Sequence, residues 1–255
     1  MKENEAFMPA EMIHRVLENA SSDVVLVGGQ ALAFWINRFQ LDTTKEILPA
    51  ISRDVDFLTQ TSSNTSPLIA FAAAIGGTAH IASLHSITAL IGSAQSPADG
   101  THTYNVDLIH RIIGLKKDAV FENSVEVEIN KESGKMIRVM HPFDLLASRS
   151  ANLHLLKEKQ NEIGVNQLKL SIAVVQQHLM TSIKDITTSD LTEKDKHREI
   201  FNTIKIVNSQ SRKSMAYKNS KKYGTFVADA VPAWLIASQQ FWHKQWPHLK
   251  KRMSK

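Results

Sequence analysis

Two aspartates, Asp54 and Asp56, are separated by one residue in a segment whose other members include Val55 and Phe57. Because residues i and i+2 of a strand point to the same face, both carboxylates would project together. Two carboxylates this close repel each other unless a cation neutralises them. Mg²⁺ takes oxygen ligands, commonly one or two carboxylates together with substrate phosphates. The spacing therefore predicts a divalent-metal site that acts on a phosphorylated substrate.

A glycine pair, Gly28-Gly29, precedes the aspartates in the chain. It follows the apolar run 24–27, which is typical of a buried strand, and it leads into a helical pattern over residues 30–39. A glycine turn that enters a helix is a place where a phosphate binds, because backbone N–H groups at the helix start are unpaired. A tight strand-to-helix turn without a ligand is the alternative. Together with the aspartates, the turn indicates metal-dependent phosphoryl or nucleotidyl transfer.

A third acid, Asp107, lies in the alternating segment 103–109, between two apolar neighbours. If this strand runs beside the Asp54–Asp56 strand, three carboxylates converge on one sheet edge. Such a cluster could hold two metal ions about 3.5–4 Å apart for an in-line displacement. Glu126 and Glu128 form another acid-x-acid pair and are the alternative source of the third carboxylate. Asp107 is favoured because its apolar neighbours suit a central strand.

This arrangement resembles the nucleotidyltransferases of the DNA polymerase β superfamily, and among them the AbiEii-like toxins. The shared pattern is an apolar strand, a Gly-Gly turn into a helix, an acid-x-acid pair and a later third acid. Residues 141–149 also resemble the segment that opens the helical half of these proteins. Two features depart from the family: residues 41–50 look like an insertion, and Gln30 stands where many members carry serine.

The resemblance implies a fold, a metal and a set of site residues. The implied fold is α/β (α+β), with a nucleotidyltransferase mixed sheet and flanking helices followed by an all-helical C-terminal domain. The implied cofactor is Mg²⁺ or Mn²⁺, held by Asp54, Asp56 and Asp107, with Asp107 also acting as general base. The implied nucleotide-binding residues are Gly28, Gly29, Gln30, Ser52, Arg53 and Arg149.

The resemblance also implies a reaction and partners. A nucleoside monophosphate would pass from an NTP to an acceptor hydroxyl, on a tRNA 3′ end or on a protein, with release of pyrophosphate. The implied setting is a toxin–antitoxin or phage-defence system, with a cognate antitoxin as a possible partner. Two alternatives stay open: a nucleotidyltransferase that modifies a small molecule such as an antibiotic, and a catalytically inactive binding module of the same fold.

The chain divides into two predicted domains. Residues 1–140 alternate short apolar runs with helical patterns and predict the nucleotidyltransferase domain. Residues 141–255 predict a helical domain with a basic C-terminal tail, because strand patterns end near Pro142. A loop is predicted for residues 93–101, which are rich in Ser, Pro, Asp and Gly. Helical periodicity covers residues 143–158, 165–183, 191–207 and 230–246.

Composition narrows the class of protein further. The chain has 255 residues, a net charge of +5 and no cysteine, which excludes disulfides and thiolate chemistry. No apolar run is long enough to span a bilayer, so we expect a cytoplasmic protein without a membrane partner. The basic C-terminal part favours a polyanion such as RNA, whereas a solvated surface is the alternative. Its cations are Arg212, Lys213, Lys218, Lys221, Lys222, Lys244, Lys250, Lys251, Arg252 and Lys255.

Overall fold

A computed structural model describes residues 4–42, 53–83, 88–239 and 241–253 of the chain. These residues form a mixed α/β structure, in which a seven-stranded mixed sheet with flanking helices is followed by a helical region. The prediction of an α/β class is thus confirmed. The chain separates into two compact units: Met1–Phe34 with Thr43–Ser148, and Trp35–Asp42 with Arg149–Lys255.

The sheet belongs to the first unit, and its strands are β1 (Val24–Val27), β2 (Val55–Thr59), β3 (Thr78–Ile81), β4 (Leu90–Pro97), β5 (Thr103–Ile109), β6 (Val125–Asn130) and β7 (Lys135–Val139). Their spatial order is β3-β4-β5-β2-β1-β7-β6. Strand β2 runs parallel to β5 and β1 runs parallel to β7, whereas the other neighbouring strands are antiparallel. The order brings β5 directly against β2, although β3 and β4 separate them in sequence.

The central strands β2 and β5 have one apolar and one acidic face. Val55 and Phe57 in β2 are fully buried, and so are Val106 and Leu108 in β5. Phe57 stacks on Phe71 of the helix Ser66–Ala74, with ring centroids 4.5 Å apart, so this helix packs against the apolar face. Side chains alternate along a strand. The residues between the apolar ones, including Asp56 and Asp107, therefore project from the opposite face.

Helices of the first unit surround this sheet. The helix α3 (Ser66–Ala74) ends before Gly76, whose φ of +63° is common for a glycine that follows a helix. The helix α2 (Gly28–Arg38) begins directly after β1, and its residues from Trp35 onward are assigned to the second unit. The other helices of the first unit are α1 (Ala10–Glu18) and α4 (Lys117–Asn123).

The predicted loop over residues 93–101 is wrong in its first half. Strand β4 continues to Pro97 because residues 92–97 pair in register with 103–108 of β5. Gly92, Ser93 and Gln95 have weak strand propensity, and pairing with β5 overrides it. The loop is confined to the turn that follows, where Asp99 accepts hydrogen bonds from the backbone N–H groups of Thr101 and His102. These bonds lower the pKa of Asp99, with the Thr101 backbone as the largest contributor.

The second unit is helical, and the described residues contain no strand after β7, as predicted. The longest helix starts at Asn161, whose side chain accepts a hydrogen bond from the Gly164 N–H at 3.0 Å. Among the described residues, no helix is both long and apolar enough to cross a bilayer. The α-helices after β7 are α5 (Pro142–Leu155), which belongs to the second unit from Arg149 onward, α6 (Glu162–Thr188), α7 (Glu193–Ser211), α8 (Ser214–Tyr223) and α9 (Trp246–Met253).

The prediction of one helix over residues 230–246 is wrong. Two short 3₁₀ helices, Val227–Ala230 and Ala233–Leu235, and a π-helix, Phe241–Gln245, occupy this region instead. Pro232 explains the interruption, because proline lacks an N–H donor and restricts the residue before it to extended conformations. Val231 has that conformation, with φ −82° and ψ 113°.

Candidate metal centre

Three aspartates converge on the acidic face of β2 and β5. Asp56 and Asp107 are register partners across the parallel β2–β5 pair, and Asp54 immediately precedes β2. One carboxylate oxygen from each of Asp54, Asp56 and Asp107 lies within 4.8 Å of the other two. All three residues are half-buried. The structure thus brings together the three carboxylates that the sequence singled out.

The carboxylate of Asp56 lies so close to residue 28 that only glycine fits there. Val27, the last residue of β1, is the register partner of Asp56, and the chain turns into α2 directly afterwards. Gly28 has φ +70°, and a Cβ atom added there would lie 2.1 Å from Oδ2 of Asp56. Any side chain at this position would therefore strain the backbone and collide with the carboxylate. A glycine here allows the start of α2 to approach the acidic cluster.

Ser93 is a site residue that sequence reasoning missed. It faces Asp107 across the β4–β5 pair, and its Oγ donates a hydrogen bond to Asp107 Oδ1 at 2.5 Å. The serine is 4% exposed, so water hardly competes for this contact. A hydrogen bond to a charged acceptor is stronger than one between neutral groups. Ser93 therefore holds one oxygen of Asp107 in place. Ser93 was assigned to the predicted loop 93–101, and no alternation of apolar residues around it marked a strand.

Asn105 adds a buried polar group to the same strand. It precedes Asp107 by two residues, so both side chains leave β5 on the same face. The side chain is 2% exposed, and its Oδ1 has no hydrogen-bond partner among the described residues. Leaving a buried acceptor unpaired costs about 1–3 kcal/mol. An orphaned oxygen beside an acidic cluster fits a place where a bound water or ligand supplies the missing donor.

The alternative third carboxylate is separated from the cluster. Glu126 and Glu128 lie on β6, the strand at the opposite edge of the sheet from β3 and three strands away from β2. Both are exposed, and Glu126 forms an ion pair with Arg138 of β7 at 3.1 Å. Of the two alternatives, the described structure places Asp107 at the aspartate pair.

The other nucleotide-binding candidates have varied surroundings. Gly29 and Gln30 are buried in the first turn of α2, directly after Gly28. Arg53 donates from Nη1 to the backbone oxygen of Glu5 at 3.0 Å, and its guanidinium lies 5.1 Å from the centroid of the Phe7 ring. These contacts hold Arg53 against the N-terminal segment. Ser52 lies outside the described residues, as do residues 43–50 of the predicted insertion.

Arg149 belongs to the second unit. Its side chain is 5% exposed, and Nη1 donates to Oε1 of Gln167 in α6 at 3.1 Å. Within its own unit the guanidinium therefore makes a buried contact between α5 and α6. A role for Arg149 in nucleotide binding stays a prediction.

The donor set of the cluster fits a hard divalent cation. All three candidate ligands are carboxylates, no histidine belongs to the group, and the chain has no cysteine. Oxygen-only ligands suit Mg²⁺, Mn²⁺ or Ca²⁺, whereas zinc sites are usually built from nitrogen and sulfur. The sequence matches no protein-family model, and a search of curated proteins also gives no match.

Proposed function

We propose that this protein is a metal-dependent nucleotidyltransferase. The observation that carries the proposal is the convergence of Asp54, Asp56 and Asp107 on two adjacent parallel strands, beside the glycine turn at Gly28. Carboxylates alone at this spacing repel one another. Divalent cations would balance this charge and could at the same time bind the phosphates of a nucleotide. The resemblance to the DNA polymerase β superfamily supports the same reading, including a nucleotidyltransferase fold for the first unit.

The three aspartates would hold Mg²⁺ or Mn²⁺ through their carboxylate oxygens. When bound, the cation would neutralise charge on the phosphates and on the leaving pyrophosphate. Ser93 would keep Asp107 oriented for this role, because its Oγ already donates to Oδ1. A site whose ligands are fixed before substrate arrives needs less reorganisation during the reaction.

The triphosphate would lie at the start of α2. The first N–H groups of a helix have no partner within the helix and attract anions. Gly28 brings this turn close to Asp56, since any Cβ would collide with the carboxylate. The same turn would thus contact the phosphates whose charge the aspartate-bound cation balances. Gly29 and Gln30 would supply further contacts from the first helical turn.

In the proposed reaction, an acceptor hydroxyl attacks the α-phosphorus of an NTP. The bond between the acceptor oxygen and the α-phosphorus forms, while the bond from this phosphorus to the β-phosphate oxygen breaks. Asp107 takes the hydroxyl proton, and pyrophosphate leaves with the electron pair of the broken bond. Positioning and charge neutralisation account for most of the rate in such transfers.

The proposal is tested with purified protein, each α-labelled NTP, Mg²⁺ or Mn²⁺, and total RNA or cell lysate. Label in RNA, in protein or in a small molecule identifies the acceptor. We expect Asp56→Asn to lower the transfer rate at least about 100-fold, since loss of about 3 kcal/mol of stabilisation has that effect. Glu128→Gln is the matched control, because Glu128 is an acid-x-acid residue on the exposed face of β6.

Metal binding is measured separately, by titrating the protein with Mn²⁺ and following the free ion by electron paramagnetic resonance. Wild type and Glu128→Gln should bind, and Asp56→Asn should bind at least about tenfold more weakly because one of three carboxylates is lost. Binding without transfer would favour an inactive module of the same fold. Equal binding in all three proteins would show that the cluster is not a metal site.

The resemblance to AbiEii-like toxins extends the proposal to a cellular setting. If the reaction modifies an essential RNA or protein, induced expression should arrest growth in a bacterial host. Asp56→Asn should relieve the arrest, and Glu128→Gln should preserve it. Growth unaffected by wild type, together with active transfer in vitro, would exclude a toxin role in that host and leave the enzymatic proposal intact.

A further inference from the structure

Helix α8 of the second unit carries a row of exposed cations and one exposed tyrosine. Lys213 is the residue before the helix, and Tyr217 and Lys221 follow it at intervals of four. Lys218 and Lys222 repeat the same interval one residue further on. Residues three and four apart lie on one side of a helix, so these five form one surface. We call Lys213, Tyr217, Lys218, Lys221 and Lys222 the α8 cationic face; all five are exposed.

The opposite side of α8 fixes this face toward solvent. Ala216 and Asn219, three residues apart, are 5% and 1% exposed. Asn219 Nδ2 donates to the backbone oxygen of Ser150 in α5 at 2.9 Å. Because the buried amide anchors the helix, the cationic face is held in one orientation within the second unit. It is therefore a constructed surface and not a mobile basic tail.

The charge on this face is not balanced locally. No aspartate or glutamate occurs between Ile200 and Ala228 in the sequence. In the described part of the chain, none of the lysines on the face forms an ion pair. The cations in this acid-free segment are Lys205, Arg212, Lys213, Lys218, Lys221 and Lys222.

Helix α7 of the same unit is also charged, but its cations form ion pairs with acids of the same helix. Lys196 pairs with Glu193 at 3.3 Å, and Arg198 pairs with Asp195 at 3.0 Å. Such (i, i+3) pairs balance charge along a surface that needs no partner. Lysines in the last turn of a helix also stabilise its dipole, which accounts for Lys221 and Lys222 but not for Lys213 or Lys218. The α8 cationic face therefore carries more positive charge than helix stability explains.

Aromatic rings accompany the cations. Tyr217 is 51% exposed, and Lys221 Nζ lies 5.8 Å from the centroid of its ring. Lys222 Nζ lies 5.0 Å from the Tyr223 ring and donates to Gln160 Oε1 at 3.1 Å. That contact brings the 3₁₀ helix Lys157–Lys159 beside the face, with two more lysines and one glutamate.

We propose that the α8 cationic face binds single-stranded RNA. Lysine ammonium groups at helical spacing contact successive phosphates, and an exposed tyrosine ring stacks on a base. An anionic membrane is a less suitable partner, because a helix that binds at a membrane surface inserts a broad apolar face into the lipid. The side of α8 opposite the cations is instead buried within the protein. The proposal does not depend on nucleotidyl transfer. If that transfer is confirmed, an RNA bound here would be a natural source of the acceptor hydroxyl.

The test measures binding of a fluorescently labelled, mixed-sequence RNA of about 20 nucleotides by anisotropy, with full-length protein and EDTA. EDTA removes divalent metal, so the result is independent of the aspartate cluster. In the double variant Lys218→Gln with Lys221→Gln, the plot of log K against log salt should become less steep, by about 1.4 in slope. Binding should also weaken about 25-fold near 0.1 M salt. The matched control is Lys116→Gln with Lys131→Gln, which removes the same charge from exposed sites of the first unit.

Tyr217 distinguishes RNA from other polyanions. Tyr217→Ala should weaken RNA binding about fivefold or more through lost base stacking, whereas Tyr217→Phe should preserve it. Heparin and vesicles containing anionic lipid should bind without dependence on Tyr217. The proposal is overturned if RNA does not bind, if the control pair weakens binding as much as the α8 pair, or if Tyr217→Ala binds RNA like wild type.

Discussion

Replacement of Gly28 by alanine is the sharpest structural test of the acidic cluster. Two separate costs are expected. Gly28 has φ +70°, where an L-residue costs about 1–2 kcal/mol relative to ordinary backbone. The new Cβ would also lie 2.1 Å from Asp56 Oδ2, so the carboxylate must rotate away. An off-rotamer side chain adds about 0.5–1.5 kcal/mol. We therefore expect Gly28→Ala to lower the free energy of unfolding by about 1.5–3.5 kcal/mol.

Gly76 provides the control for the backbone term alone. Its φ is +63°, close to that of Gly28, and an added Cβ meets nothing within 4 Å. Gly76→Ala should thus cost only about 1–2 kcal/mol. Unfolding in urea, followed by circular dichroism, measures both changes. Mn²⁺ titration then separates the variants: Gly76→Ala should bind like wild type, and Gly28→Ala should bind at least about tenfold more weakly because Asp56 is displaced.

Either of two results would contradict the proposed role of Gly28. If both alanine variants lose equal stability, the contact between the turn and Asp56 carries no cost, and the glycine is needed for its φ angle alone. If Gly28→Ala is less stable yet binds Mn²⁺ like wild type, Asp56 is not a ligand in the orientation described. The stability measurement does not depend on the proposed enzymatic activity.

Two further predictions concern Ser93 and His178. Ser93→Ala removes the hydrogen bond to Asp107, and a bond of this kind contributes about 1.5–3 kcal/mol. The variant should therefore bind Mn²⁺ at least about tenfold more weakly, whereas Ser93→Thr keeps the hydroxyl and should bind within about threefold of wild type. Equal binding by the alanine variant would show that Ser93 does not support the site. Burial lowers the pKa of His178 below its ordinary value of 6.5. Below pH 6.5 the imidazole of His178 is protonated more readily in the unfolded chain than in the folded chain. The free energy of unfolding is therefore highest above pH 6.5 and decreases as the pH falls below that value. Between pH 7.5 and 5.5 the resulting loss should be at most about 1.4 kcal/mol, and His178→Gln should show a smaller pH dependence in urea unfolding; an unchanged pH dependence in that variant would contradict the assignment to His178.

Local patterns were sufficient for the strands that carry the aspartates. Val24–Val27 and the alternating segments around Asp56 and Asp107 were predicted as strands and are β1, β2 and β5. Each has apolar residues on at least one face, and burial of those residues determines the structure. The sequence did not predict that β5 pairs with β2, because strand order depends on contacts between segments that are distant in sequence.

The errors occurred where tertiary contacts override local preference. Helix α8 was not predicted, since lysine, serine and tyrosine give it no clear apolar face; its buried residues are Ala216 and the polar Asn219. Asn219 reaches the helix α5 through a hydrogen bond that no periodicity reveals. Ser93 was assigned to a loop for a related reason, because its partner Asp107 lies on a neighbouring strand.

The register of β2 against β5 connects the apolar core to the acidic cluster. Val55 pairs with Val106 and Phe57 with Leu108, and all four side chains are fully buried on one face. If β5 shifted by one residue against β2, Val106 and Leu108 would move to the opposite face of the sheet. Asp107 would then point away from the face that carries Asp56. Burial of the apolar residues opposes that shift, at roughly 1.5–3 kcal/mol per large side chain. The carboxylates are therefore kept close together by buried apolar residues that take no part in the proposed chemistry. Packing of this core opposes the electrostatic repulsion between the acids.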